Sequence, residues 1–184
     1  MASLNSNKNN RTNVGFWIWL QFDGFSDEVC QSLQFRVQKI IKSPLFGGHL
    51  TISGPFTHID QNFIRKFDGL GDILSPFPIF IESYSFSEEY FESFFLKVIS
   101  DKNLLRVKNK IDIAFGAKPN IDNFSPHISL AYGNATAEKK IECIETLPEL
   151  QKSFIVTKLS LIRADEISEK WDLIKEITLR EITI

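Results

Sequence analysis

The chain has 184 residues, 43% of them hydrophobic and 24% charged, and a formal net charge of −2. That length allows one domain with a substantial core, and no apolar run reaches the length of a membrane span. So nearly neutral a chain is not built to grip a nucleic-acid backbone along its length; a small ligand or a nucleic-acid end suits it better.

Met1 to Asn13 is polar and rich in asparagine, without the apolar segment of a secretory signal, and reads as a disordered tail ahead of a single domain spanning 14–184. Cys30 and Cys143 show no metal-ligand spacing and read as free, buried thiols in a reducing, cytoplasmic setting. Val14 to Phe22 alternates as a strand, with Phe16, Ile18, Leu20 and Phe22 toward the core and Trp17, Trp19 and Gln21 on the other face. Asp23-Gly24 turns the chain. Ser26, followed by Asp27 and Glu28, marks a helix start, and Val29, Leu33, Val37, Ile40 and Ile41 share its inner face. Ser43-Pro44 and Gly47-Gly48 end that element before a strand around His49.

Pro55 to Asp60 reads as a loop carrying His58 on the surface. Gln61 to Leu70 is a short helix stopping near Gly69 and Gly71. Pro76 to Phe86 and Phe94 to Ser100 are strands, and Lys97, interrupting the second, reads as a lysine reaching out to solvent. Asp101 caps a helix with Leu104, Val107, Lys108, Ile111 and Phe115 on its inner side. The loop 116–124 delivers a strand around His127. Ala135 to Leu147 is a helix with Ile141, Ile144 and Leu147 aligned, and Phe154 to Arg163 and Trp171 to Leu179 form a hairpin across a polar turn. The plan divides into two similar halves, each supplying one wall of a cleft in an α+β domain with two antiparallel sheets and helices outside.

Two runs echo each other: His49-Leu50-Thr51-Ile52 and His127-Ile128-Ser129-Leu130. In a strand, alternate side chains share a face, so His49 joins Thr51 and His127 joins Ser129, while the apolar residues anchor each strand. Two imidazoles at one cleft can act as general base and general acid, and two hydroxyls can hold the oxygens of an anionic group. That is the equipment for cleaving a phosphodiester without a metal, and no carboxylate or cysteine stands at ligand spacing beside either histidine. The same cleft in a non-catalytic protein would sense a cyclic or RNA-end phosphate without turning it over.

At these residues the chain resembles the two-histidine (2H) phosphoesterase superfamily, and within it the cyclic phosphodiesterases of plant and yeast type. Pro126-His127-Ile128-Ser129-Leu130-Ala131-Tyr132 is similar to that family's Pro-His-x-Ser-Leu-x-Tyr, Trp17 stands on the opening strand where such enzymes carry a tryptophan, and the closing strand begins at Trp171. The resemblance implies a bilobal fold, no metal, and hydrolysis of a nucleoside 2′,3′-cyclic phosphate or ADP-ribose 1″,2″-cyclic phosphate; no cofactor is expected, and the chain is read as a monomer. RNA ends, 2′,5′-oligoadenylates and cyclic oligonucleotides stay open as substrates. His49, Thr51, His127 and Ser129 carry over as catalytic residues; separately from the resemblance, the mechanism is read with His127 as base and His49 as acid. Trp17 and Tyr132 carry over as base or ribose contacts, although strand parity puts Tyr132 opposite His127 unless the strand bulges or ends there. Gly48 departs from the family's usual proline before the first histidine.

Overall fold

The computed structural model describes residues 14–117, 121–164 and 171–181; the expected tail and the expected turn between the last two strands lie outside them. The described residues form, in chain order, β1 (Gly15–Phe22), α1 (Gly24–Gln38), β2 (Leu50–Phe56), α2 (Gln61–Ile73), β3 (Phe77–Phe86), β4 (Phe94–Val98), α3 (Lys102–Ala114), β5 (His127–Ala131), α4 (Ala137–Thr146), β6 (Ser153–Ala164) and β7 (Trp171–Thr178). A 3₁₀ turn, Tyr90–Glu92, leads into β4.

All pairings are antiparallel, and they close a circuit: β1 pairs with β2 and β6, β2 with β5, β5 with β4, β4 with β3, and β3 with β6. The two sheets expected from the sequence are thus two arms of one hydrogen-bonded system. One arm, β2-β1-β6-β7, carries His49; the other, β5-β4-β3, carries His127. They join where the first residues of β6 pair with β3 and at one register pair, Leu50 opposite Ile128. The expectation that each half of the chain builds its own wall is corrected here, because β6 and β7 from the end of the chain complete the arm begun by β1 and β2.

One face of both arms packs under the helices. Ile18, Leu20, Leu50 and Ile52 from one arm, Phe94, Leu96 and Ile128 from the other, and Leu33, Val37, Phe67, Leu104, Val107 and Ile111 from the helices form a single core. The helices cross over: α1 packs on β5 and α3 on β2. The opposite face carries the histidines and lines the cleft between the arms.

Side-chain caps set the helix starts. Asp23, Asp60 and Asp101 accept from the amides of Ser26 at 2.8 Å, Phe63 at 2.7 Å and Leu104 at 2.8 Å. The cap of α1 therefore lies three residues before Ser26, whose hydroxyl instead accepts from Ile155 of β6. α2 runs through Gly69 and Gly71 to Ile73 because burial of Phe67 and Leu70 outweighs the roughly 1 kcal/mol that each glycine costs in a helix. α4 is phased differently from the apolar pattern: Lys140 and Cys143 face inward while Ile141 and Ile144 are exposed. Lys140 reaches the Ser87 carbonyl at 2.8 Å, which satisfies a buried ammonium the periodicity could not anticipate. β2 also outruns its expected end, continuing through Pro55 to Phe56.

Candidate active site

The site is built twice from the same plan. β1-α1-β2 and β4-α3-β5 are each strand, helix, histidine strand, and their registers superimpose: Trp19 faces Thr51 and Leu20 faces Leu50 in the first, Phe95 faces Ser129 and Leu96 faces Ile128 in the second. Each pairing carries a register shift at the same place, between Ile18 and Trp19 in one and between Phe94 and Phe95 in the other. The repeat is therefore structural down to the bulge, although the sequence shows it only at the motif.

Both imidazoles are fixed in the same way. His49 Nδ1 lies 2.8 Å from the Gly47 carbonyl, and His127 Nδ1 lies 3.1 Å from the Ser125 carbonyl, each two residues back. A carbonyl only accepts, so each Nδ1 carries the proton and each neutral ring presents a lone pair at Nε2. Among the described residues neither Nε2 has a hydrogen-bond partner. The environments differ. His49 is 7% exposed, and burial takes its pKa from the ordinary 6.5 down to about 4, against the Gly47 bond that raises it and with a smaller push in the same direction from the charge of His127. His127 is only half-buried.

The hydroxyls are not equivalent. Thr51 is half-buried beside Trp19, and its hydroxyl makes no hydrogen bond among the described residues. Ser129 is buried and donates to the Phe91 carbonyl at 3.1 Å. Strand β5 ends at Ala131, which frees Tyr132 from strand parity. Its ring stacks on Phe46 at 4.3 Å, and its amide donates to the Ser43 hydroxyl at 3.0 Å. Burial pushes its phenol well above the usual pKa, so it stays neutral.

Aromatic rings enclose His49. The Trp19 ring lies flat on the imidazole, 3.5 Å between centroids at 9°. Trp171 of β7 meets His49 edge-on at 5.6 Å and Trp19 at 5.0 Å, and Phe46 adds a tilted contact at 6.2 Å. On the other arm Phe95, the counterpart of Trp19, lies tilted against His127 at 5.2 Å.

A family model described as the 2′-5′ RNA ligase superfamily matches residues 33–167, most of the chain and both motifs. The chain belongs to the 2′-5′ RNA ligase superfamily. Its fold is that of E. coli LigT: the structure of LigT with 3′-AMP aligns with a TM-score of 0.59 at 14% identity, covering 91% of this chain and 99% of that one. LigT with phosphate aligns at 0.58, 14% identity, 91% and 98%, and the TT0787 protein of Thermus thermophilus at 0.56, 17% identity, 90% and 97%. No curated protein sequence matches the chain significantly. The superfamily supports phosphoesterase activity on cyclic phosphates without a metal; it does not single out the plant and yeast type.

Within this superfamily member, His49, Thr51, His127, Ser129 and Tyr132 come together around the Leu50–Ile128 bridge. Trp17 does not join them; it packs two residues along, where a Cβ on Gly54 would come within 2.8 Å of its ring. The sequence reading missed Trp19 as the ring under His49, although strand parity already put it on the histidine face. It also missed Phe46 and Trp171 as walls, since only the fold brings their segments to His49. Gly48 has a local cause: a Cβ there would lie 2.8 Å from Cys30 Sγ and 3.0 Å from Cys30 Cβ on α1, so a proline cannot fit. Burial pushes the Cys30 thiol up to about 12. Among the described residues no group of three or more His, Cys, Asp or Glu side chains is placed to hold a metal ion, and no helix is long and apolar enough to cross a membrane. His58 is exposed.

Proposed function

We propose that the protein is a metal-independent cyclic phosphodiesterase that hydrolyses a nucleoside 2′,3′-cyclic phosphate or ADP-ribose 1″,2″-cyclic phosphate to a phosphomonoester. The observation that carries this reading is the matched pair of imidazoles, each pinned at Nδ1 to a carbonyl and each presenting Nε2 on the cleft face. The capture of phosphate and 3′-AMP by the similarly folded LigT agrees with a small phosphorylated ligand, and the motif flanks resemble those of the plant and yeast enzymes.

In the proposed reaction a water oxygen attacks phosphorus in line with a ribose oxygen. The new P–O bond forms as the bond to that ribose oxygen breaks. One Nε2 takes the water proton while the other, protonated, delivers a proton to the leaving oxygen, so one water is consumed and no electron changes hands. Thr51 is the hydroxyl free to donate to a non-bridging oxygen. Ser129 is tied to the Phe91 carbonyl and would first have to release it. Burial holds His49 below the usual imidazole range, which keeps its ring neutral and suits it to the base's part, and leaves the acid's part to the more open His127. This reverses the order expected from the sequence. The negative charge of a bound phosphate favours the imidazolium form of His49.

The test is incubation with nucleoside 2′,3′-cyclic phosphates, ADP-ribose cyclic phosphate, cyclic dinucleotides and 2′,5′-oligoadenylate, with products followed by phosphorus NMR. Either His→Ala variant is expected to lose about 10²–10⁴-fold in rate. Tight binding of one of these with no turnover would sink the enzymatic reading and leave a phosphate sensor.

A further inference from the structure

One charged side chain on the cleft face has no part in the chemistry above. Lys97 of β4 stands directly opposite His127 of β5, and directly opposed residues of an antiparallel pair project from the same face. Its ammonium is tied to Glu82 of β3 at 3.1 Å, and both side chains are 48% exposed. In the other arm the matching position is Gln21, a neutral residue. Lys158, the lysine on that wall, is on β6, facing Gln21 and paired with Glu176 at 3.0 Å, two strands from β2 and His49. Among the described residues the two walls therefore differ at matched positions: a cation stands beside His127, and the corresponding place in the arm of His49 holds a neutral side chain.

Position decides what that cation can meet. In the proposed reaction the phosphate being cut sits between the two Nε2 atoms, near the junction of β2 and β5. Lys97 lies one strand outward, and its Glu82 partner draws it toward β3, further still. Neighbouring strands are about 4.8 Å apart, and the Glu82 bond holds the ammonium on the β3 side of β4, so an anion that meets it there is a separate group from the one under attack. We propose that Lys97 binds a second phosphate of the substrate, and that the preferred substrate class is a cyclic phosphate carrying a further phosphoryl or phosphodiester group. The inference rests on the cyclic phosphodiesterase reading. On binding, Lys97 exchanges the Glu82 carboxylate for the phosphate, and Glu82 becomes a repelling neighbour. The two residues therefore act in opposite directions on one preference.

The experiment compares kcat/KM for uridine 2′,3′-cyclic phosphate, its 5′-phosphorylated form, and the dinucleotide UpU ending in a 2′,3′-cyclic phosphate. It uses the wild type, Lys97→Met and Glu82→Gln. The wild type is expected to favour a substrate with the extra phosphate by about fivefold, the scale of one partly exposed charged contact. That ratio falls toward one in Lys97→Met, rises in Glu82→Gln, and shrinks with added salt. Preference for the monophosphate alone, or for the dinucleotide, tells a terminal phosphate from an internucleotide one. A wild-type ratio near one overturns the inference, as does a ratio unchanged in both variants or an equal loss on every substrate in Lys97→Met. In those cases turnover of the simple cyclic phosphate persists and the proposed function stands. Absence of turnover on all three overturns the proposed function itself.

Discussion

His49 is held in an unusual state for a residue proposed to exchange protons: flat against Trp19, nearly sealed, and neutral. Its folded pKa of about 4 lies below the 6.5 of the unfolded chain, so as pH falls the unfolded chain takes up the proton first. The stabilisation is whole above about pH 6.5 and drains away toward pH 4, by on the order of 3 kcal/mol. Urea unfolding across that range should show the loss, and His49→Gln should flatten it. Gly48 makes a second residue-scale prediction. Gly48→Ala drives a Cβ into Cys30 Sγ and shifts the adjoining His49. A catalytic group displaced by about an ångström can lose on the order of 100-fold, so kcat should fall far more than KM changes. Cys30→Ala in the same chain should restore part of it, and a loss of the same size in both backgrounds would remove the steric argument.

At the scale of elements, the helices act on strands from the other half. Gln34 of α1 donates to the Ser129 carbonyl of β5 at 3.2 Å, and Asp112 of α3 accepts from Ser53 of β2 at 2.7 Å and from Lys108 at 2.6 Å. Asp112 is 1% exposed, so Asp112→Ala strands a buried ammonium and a buried hydroxyl, at a cost of about 3–5 kcal/mol. Replacing both charges, as in Lys108→Met with Asp112→Leu, should cost far less, and thermal unfolding compares the two directly. These braces also show where sequence reading stops. The strands were legible because alternation sorts Ile18 and Leu20 from Trp19, and the catalytic candidates because the motif occurs twice. Ser53, Asp112 and Gln34 gave no signal, since a polar residue inside looks like one outside until its partner is known. The phase of α4 misled for the same reason: buried Lys140 is satisfied by a carbonyl 53 positions away in the chain.

The molecule as a whole is a closed circuit of strands, with β6 shared by both arms and a helix of each half lying on the other's histidine strand. No arm buries its apolar face alone, so the two should open together. Amide hydrogen exchange should give the core amides of β2 and β5 the same opening free energy; two distinct values would mean arms that fold separately. The crossing of halves was not legible in the sequence, because β6 and β7 carry no mark saying which arm they complete. The circuit is also unevenly coloured. All three tryptophans lie on β1 and β7, in the arm of His49, and one of them lies flat on the imidazole. An imidazolium in contact with an indole drains its excited state, whereas a neutral ring does so far less. The protein's own fluorescence therefore watches one of the two proposed catalytic residues and is blind to the other. Light emitted by the unlabelled protein can follow the arrival of a proton at His49, or of the phosphate that brings it.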